Sequence, residues 1–167
     1  MKQFNNSVTP QMLADLDKSP FSDDDLAAMD VSARHLIEQN AERDRQHPIT
    51  AIWRVAVEGS LTARGGVVKV TDNNRLMDFG NGETARIAVE GDSVSYPDGT
   101  SALIVSSAGS KATHKDKGLA LVGSPLDNGD EIISTPQEHL VLLSRKGIDE
   151  APDFLAHPGG MSHGLSK

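Results

Sequence analysis

The chain has 167 residues, no cysteine, a formal charge of −8 and a sequence pI of about 5.1, with 37 % hydrophobic and only 4 % aromatic residues. That composition excludes disulfides and cysteine-held metal, and it argues against a nucleic-acid partner, whose phosphates need clustered Lys and Arg. Its length suits one domain with extensions, and its few aromatics require a core of small and β-branched side chains.

No apolar run reaches the roughly 18 residues of a membrane-spanning helix. The polar start Met1-Lys2-Gln3-Phe4-Asn5-Asn6 offers no apolar region of an export signal, so classical export is not expected.

Residues 1–51 form an N-terminal helical extension. They contain no glycine, and acids outnumber bases nine to five. Thr9-Pro10 predicts a short helix over Gln11–Lys18, with Pro at the first helical position, broken at Ser19-Pro20. Ser22 is a good N-cap, and Asp25 completes a capping-box pattern. Asp23, Asp24 and Asp25 suit the positive end of the helix dipole. Leu26, Met29, Ala33, Leu36 and Ile37 follow at helical spacing and predict one helix ending near residue 46, before His47-Pro48. Such a stripe suits packing on the chain's own β domain, or docking of an adaptor or cargo protein.

Residues 52–136 are organised by one phrase written three times: Val55-Ala56-Val57-Glu58-Gly59-Ser60, Ile87-Ala88-Val89-Glu90-Gly91-Asp92 and Leu119-Ala120-Leu121-Val122-Gly123-Ser124. Gly59, Gly91 and Gly123 stand 32 residues apart both times, and a constant period decides architecture before any other feature. Each phrase leads into a turn: Thr62-Ala63-Arg64-Gly65-Gly66, Tyr96-Pro97-Asp98-Gly99 and Asp127-Asn128-Gly129-Asp130. A second β-like run follows each turn. Two hairpins connect the copies, one over 69–86 with turns at Asp72–Asn74 and Gly80-Asn81-Gly82. The other spans 105–118, with turns at Ser106–Ser110 and Lys115–Gly118. Short runs at this spacing predict a mainly β domain of strand, Gly-rich turn, strand, three times over.

Residues 137–167 are a C-terminal tail. Leu140–Leu143 suits a strand or a helical turn, and the Gly- and Pro-rich chain from Gly147 onward is expected to be loosely held.

Catalytic patterns are weak. No serine of the repeat region lies in a G-x-S-x-G elbow, and Gly65-Gly66 is followed by neither Lys nor a helix start. His35 and His114 read as helix and turn residues. His157 and His163, in the tail, fall short of the four fixed ligands of a structural zinc site. The acidic residues Asp92, Asp98, Asp127 and Asp130 flank tight turns, where their side chains bond local backbone.

The repeats resemble the PAAR family, small proteins that cap the spike of type VI secretion systems. The resemblance rests on Glu58-Gly59-Ser60-Leu61-Thr62 with Gly65-Gly66, on Val89–Val94 with Tyr96-Pro97-Asp98-Gly99, and on Lys115–Ser124 running into Leu126–Asp130. It covers about half of the chain.

It implies three β-hairpin units wound about a pseudo-threefold axis into a short cone, its base on a VgrG-type trimeric spike protein and its tip leading. The same resemblance implies a non-enzymatic connector that carries an effector or adaptor. Such a protein is a monomer when isolated, assembles in the cytoplasm and leaves through the type VI apparatus. Family members commonly hold the tip with zinc through His and Cys. This sequence departs from that pattern, with Arg64 and Tyr96 where such ligands are typical, so no zinc or other cofactor is expected. Order there is expected from Tyr96, Pro97 and the Asp and Asn turn bonds. The rival readings are a small effector enzyme with a site built from Arg64, Tyr96, Asp98 and His114, and a ligand-binding β-repeat module of a phage-like tail.

Overall fold

The computed structural model describes residues 2–16, 21–70, 72–78, 82 and 84–155. The chain divides into two units, one of Met1–Asn6, Ile52–Leu142 and Glu150–Lys167, the other of Ser7–Ala51 with Leu143–Asp149.

In the second unit α1 is Pro10–Leu16, α2 is Asp23–Ala28 and α3 is Val31–Gln46. The expected end of α1 at Lys18 and the break at Ser19-Pro20 lie outside the described residues. Ser22 caps α2 with both halves of the box: its Oγ accepts from Asp25 N at 3.1 Å, and Asp25 accepts from Ser22 N at 3.0 Å. The single helix expected over 22–46 is instead two. Met29 is extended at φ −84°, ψ 158°, and Asp30 restarts the helix by accepting from Ala33 N at 2.8 Å. A short acidic side chain stabilises a helix more as an N-cap than inside it, where it competes with the backbone.

The break splits the apolar stripe. Leu26 is on α2, Met29 lies between the helices, and Ala33, Leu36 and Ile37 are on α3. None of the three helices buries a residue, and Leu36 is 58 % exposed. His47 ends α3, and its Nδ1 lies 2.8 Å from the Lys146 carbonyl. Strand β1, Ile49–Arg54, pairs with β11, Val141–Arg145, so Val141–Leu143 of the Leu140–Leu143 run belong to a strand rather than a helical turn, with Leu140 just ahead of it.

The first unit is built on the three phrases. Their residues bridge one another: Val55 with Leu121, Val57 with Ile87, and Val89 with Leu119. Three backbone hydrogen bonds close a ring. Ala56 N donates to Ala120 O at 2.8 Å, Ala120 N to Ala88 O at 2.9 Å, and Ala88 N to Ala56 O at 2.9 Å. Strand alternation sends the two kinds of side chain to opposite sides. Ala56, Ala88 and Ala120, all fully buried, join Val68, Val94, Ile104, Leu126 and Ile132 in one cluster. Val55, Val57, Ile87 and Leu121 join Trp53, Leu140, Phe154 and Leu155 in a second.

On the first cluster's side each phrase runs into a hairpin. The strands are β2 (Leu61–Thr62), β3 (Val67–Lys69), β6 (Ser93–Ser95), β7 (Ser101–Leu103) and β10 (Ile132–Ser134). They form an antiparallel sheet in the order β10-β2-β3-β6-β7, with Val68 opposite Val94 and Val94 opposite Ala102. Isolated bridges from Ile104, just past β7, to Leu126 and from Pro125 to Glu131 link the β7 end of the sheet to the third hairpin.

Two ribbons make the expected connections: β4 (Leu76–Asp78) with β5 (Thr84–Arg86), and β8 (Thr113–His114) with β9 (Lys117–Gly118). Gly82 turns the first at φ +80°, while Gly80 and Asn81 lie outside the described residues. Two short 3-10 turns, Asn73–Arg75 and Gly109–Lys111, fall at the turns expected at Asp72–Asn74 and Ser106–Ser110.

The chain beyond Gly147 is not loosely held throughout. Phe154 meets Trp53 edge-on, with centroids 5.3 Å apart, and Leu155 N donates to Ser107 O at 2.7 Å. Asp153 accepts from Ser110 N at 2.8 Å. Phe154 and Leu155 are a large apolar pair that gains from covering the second cluster; residues 156–167 are outside the described chain.

The ring leaves no room for a larger side chain at its alanines. Ala88→Leu is expected to lower unfolding free energy in urea by about 1–3 kcal/mol or more through overpacking. Leu103→Ala, at a position 46 % exposed, is expected to stay within about 0.5 kcal/mol.

Candidate functional site

Each phrase ends in the same turn. Ser60 N donates to Val57 O at 3.0 Å, Asp92 N to Val89 O at 3.1 Å, and Ser124 N to Leu121 O at 2.9 Å. The third residue of each turn is Gly59, Gly91 or Gly123, at φ +93°, +96° and +109°, where an L side chain is strained. The fourth residue bonds back through its side chain. Val57 N donates to Ser60 Oγ at 3.1 Å, Val89 N to Asp92 Oδ2 at 2.8 Å, and Leu121 N to Ser124 Oγ at 2.9 Å. Asp92 also takes a two-pronged ion pair from Arg75, with Nη2 2.9 Å from Oδ1. That pairing holds the Arg75 guanidinium above its ordinary pKa, with burial opposing. Sequence reasoning missed Arg75, whose partner is supplied by another part of the fold.

The three hairpin turns share a second pattern. Thr62 N, Tyr96 N and Leu126 N donate to Gly66 O, Thr100 O and Asp130 O, at 3.0, 2.9 and 2.8 Å. Gly65, Gly99 and Gly129 supply the left-handed residue of each turn. In the second, Asp98 spends its carboxylate on the turn itself, accepting from Thr100 N at 2.9 Å and Thr100 Oγ1 at 2.6 Å. Pro97 lies within this turn. Asp127 accepts from Leu103 N at 3.1 Å.

Side chains from all three turns meet on Asp130, which is 3 % exposed. Tyr96 donates its hydroxyl to Asp130 Oδ2 at 2.6 Å, and Arg64 N donates to Oδ1 at 3.2 Å. Asn128 Nδ2 donates to the Tyr96 hydroxyl at 3.0 Å, and Arg64 Nη1 to Asn128 O at 3.0 Å. Gly66 completes the fit: a Cβ there would stand 2.5 Å from Val94 Cγ1 and 2.8 Å from Tyr96 Cε1.

Burial alone would raise the Asp130 carboxyl. The hydrogen bonds from Thr62, Tyr96, Glu131 N and Arg64 N together outweigh it and hold the group below its ordinary pKa. Tyr96 is pushed up, first by burial and then by donating to Asp130. The cluster is therefore an anion surrounded by donors at neutral pH, and it joins the three turns.

The four residues of the rival enzyme site are not brought together as one group. Arg64 and Tyr96 share Asp130, Asp98 is turned onto Thr100, and His114 stands on the β8–β9 ribbon. Among the described residues, no three His, Asp or Glu side chains gather so as to hold a metal ion. No described helix is long and apolar enough to cross a membrane.

Tyr96→Phe removes the shortest bond to Asp130 and is expected to cost about 1.5–3 kcal/mol at pH 7. Because the folded pKa of Asp130 is depressed, its contribution is present above the unfolded value and lost as pH falls through the folded one. In Tyr96→Phe that folded pKa rises, so acid unfolding followed by circular dichroism is expected to begin at higher pH. Elemental analysis of purified protein is expected to return no stoichiometric zinc; one zinc per chain would overturn that expectation. Protein-family models, curated proteins and solved structures give no match to this chain.

Proposed function

We propose that the β unit is a PAAR-like spike tip, its three hairpin units wound about a pseudo-threefold axis into a short cone. It caps a VgrG-type trimeric spike protein of a type VI secretion system. The observation that carries this reading is the closed ring of Ala56, Ala88 and Ala120, in which each copy of the phrase bonds the next. A chain with three equivalent stations can offer each spike subunit a similar contact, which a single-copy fold cannot do for a trimer.

The tip in this reading is the meeting of the three hairpin turns. Tyr96, Asp130, Asn128, Arg64 and Thr62 do there by hydrogen bonding what metal does in zinc-bearing members of the resembled family. The role is mechanical and connective rather than enzymatic. The helical unit supports a cargo or adaptor role, because α3 leaves Val31 71 % and Leu36 58 % exposed, more apolar surface than a short helix needs for itself. The protein would then assemble in the cytoplasm and leave with the spike.

Co-expression with the spike protein encoded by the same genome tests the reading. One copy of this chain is expected to co-purify with each spike trimer. Failure to co-purify, or three copies per trimer, counts against the capping role.

A further inference from the structure

The three copies differ at one pair of positions, and the difference leaves a charged groove. Glu58 N donates to Arg86 O at 2.8 Å, Glu90 N to Gly118 O at 3.0 Å, and Val122 N to Arg54 O at 2.9 Å. These bonds put Arg86, Gly118 and Arg54 at one station beside Glu58, Glu90 and Val122. In the first copy acid and base meet, with Arg86 Nη1 2.9 Å from Glu58 Oε1. In the third the arginine is present without the acid, and Arg54 turns to the carbonyls of Glu138, at 2.9 Å, and Asn5. In the second the acid is present without the arginine.

Position 118 has no room for that arginine. A Cβ on Gly118 would stand 2.1 Å from Ser107 Oγ and 2.7 Å from Gly109 N. Ser107 Oγ donates to Glu90 Oε1 at 2.9 Å, which leaves Oε2 without a hydrogen-bond partner among the described residues. Beside it lies a groove of about 380 Å³, lined by Glu90, Leu103, Val105, Asp116, Lys117 and Gly118. Among the described residues none of its three charged side chains makes an ion pair.

We propose that this groove receives an arginine side chain from a partner protein, with Glu90 holding the guanidinium as Glu58 holds Arg86. Two carboxylates against one ammonium leave the groove negative. Leu103 and Val105 offer apolar wall to the methylene stem of an arginine. A planar guanidinium fits a carboxylate through paired N–H bonds, which an ammonium cannot do. The Gly91 turn beneath has open space around its Cα, whereas Gly59 lies against Pro136 and Gly123 against Trp53. The open station therefore occurs in one copy of the three and would seat one partner in one orientation. This inference does not depend on the spike-capping reading.

The test is an amide nitrogen–proton correlation titration of the intact chain with N-acetyl-arginine-N-methylamide. Saturable shifts are expected at Gly91, Leu103–Val105 and Asp116–Gly118, with a dissociation constant on the order of millimolar, as a single exposed ion pair with limited apolar contact allows. The lysine analogue is expected to bind at least about fivefold more weakly. Glu90→Gln is expected to abolish the shifts, while Glu58→Gln, which alters the already filled station, keeps them. The same spectra report whether each variant is folded. Absence of shifts, equal response to the lysine analogue, or retention in Glu90→Gln overturns the proposal.

Discussion

Three peptide groups at one point set the terms for the β unit. Ala56, Ala88 and Ala120 each donate to one neighbour and accept from the other, so none is satisfied unless all three phrases are present. Buried backbone groups left unpaired cost about as much as a lost hydrogen bond each, and the ring therefore couples parts of the chain 32 residues apart. Alanine follows from the same geometry. Three strands converge with their small side chains on one side, and larger apolar residues fit only on the other. This arrangement explains how a chain with few aromatics builds two apolar clusters: the Ala side is filled by hairpin residues such as Val68, Ile104 and Ile132, and the Val and Leu side by Trp53, Phe154 and Leu155.

The glycine turns follow from the ring. A strand that bonds both neighbours at its alanine must leave at once, and Gly59, Gly91 and Gly123 turn it at positive φ. Ser60, Asp92 and Ser124 lock those turns by accepting from the residue three before. The hairpins then meet at Asp130, whose carboxylate gathers donors from turns far apart in sequence. Under the proposed reading the ring makes the chain compatible with a trimer, and the Asp130 cluster stiffens the opposite end.

Much of this was legible in the sequence, for particular physical reasons. The repeated phrase carried both its period and its turn chemistry in local residue types. Ser22 with Asp25 announced a helix start because a capping box is a local device. The helix break at Met29 was missed, since an apolar stripe at helical spacing runs straight across it while Asp30 caps anew. The hold on the tail was missed because Phe154 gains its partner, Trp53, from a hundred residues away. Tyr96 was expected to order its turn, yet its bond to Asp130 had no local signal, and neither did the pairing of Arg75 with Asp92. In every miss but the helix break, the deciding partner came from a distant part of the chain.

Native-state hydrogen exchange at the amides of Ala56, Ala88 and Ala120 tests the ring most directly. If the three bonds are mutually dependent, all three amides exchange only through global unfolding, with one common opening free energy that falls equally in urea. Exchange of any one of them through a local opening, at a markedly lower free energy than the other two, would contradict the account.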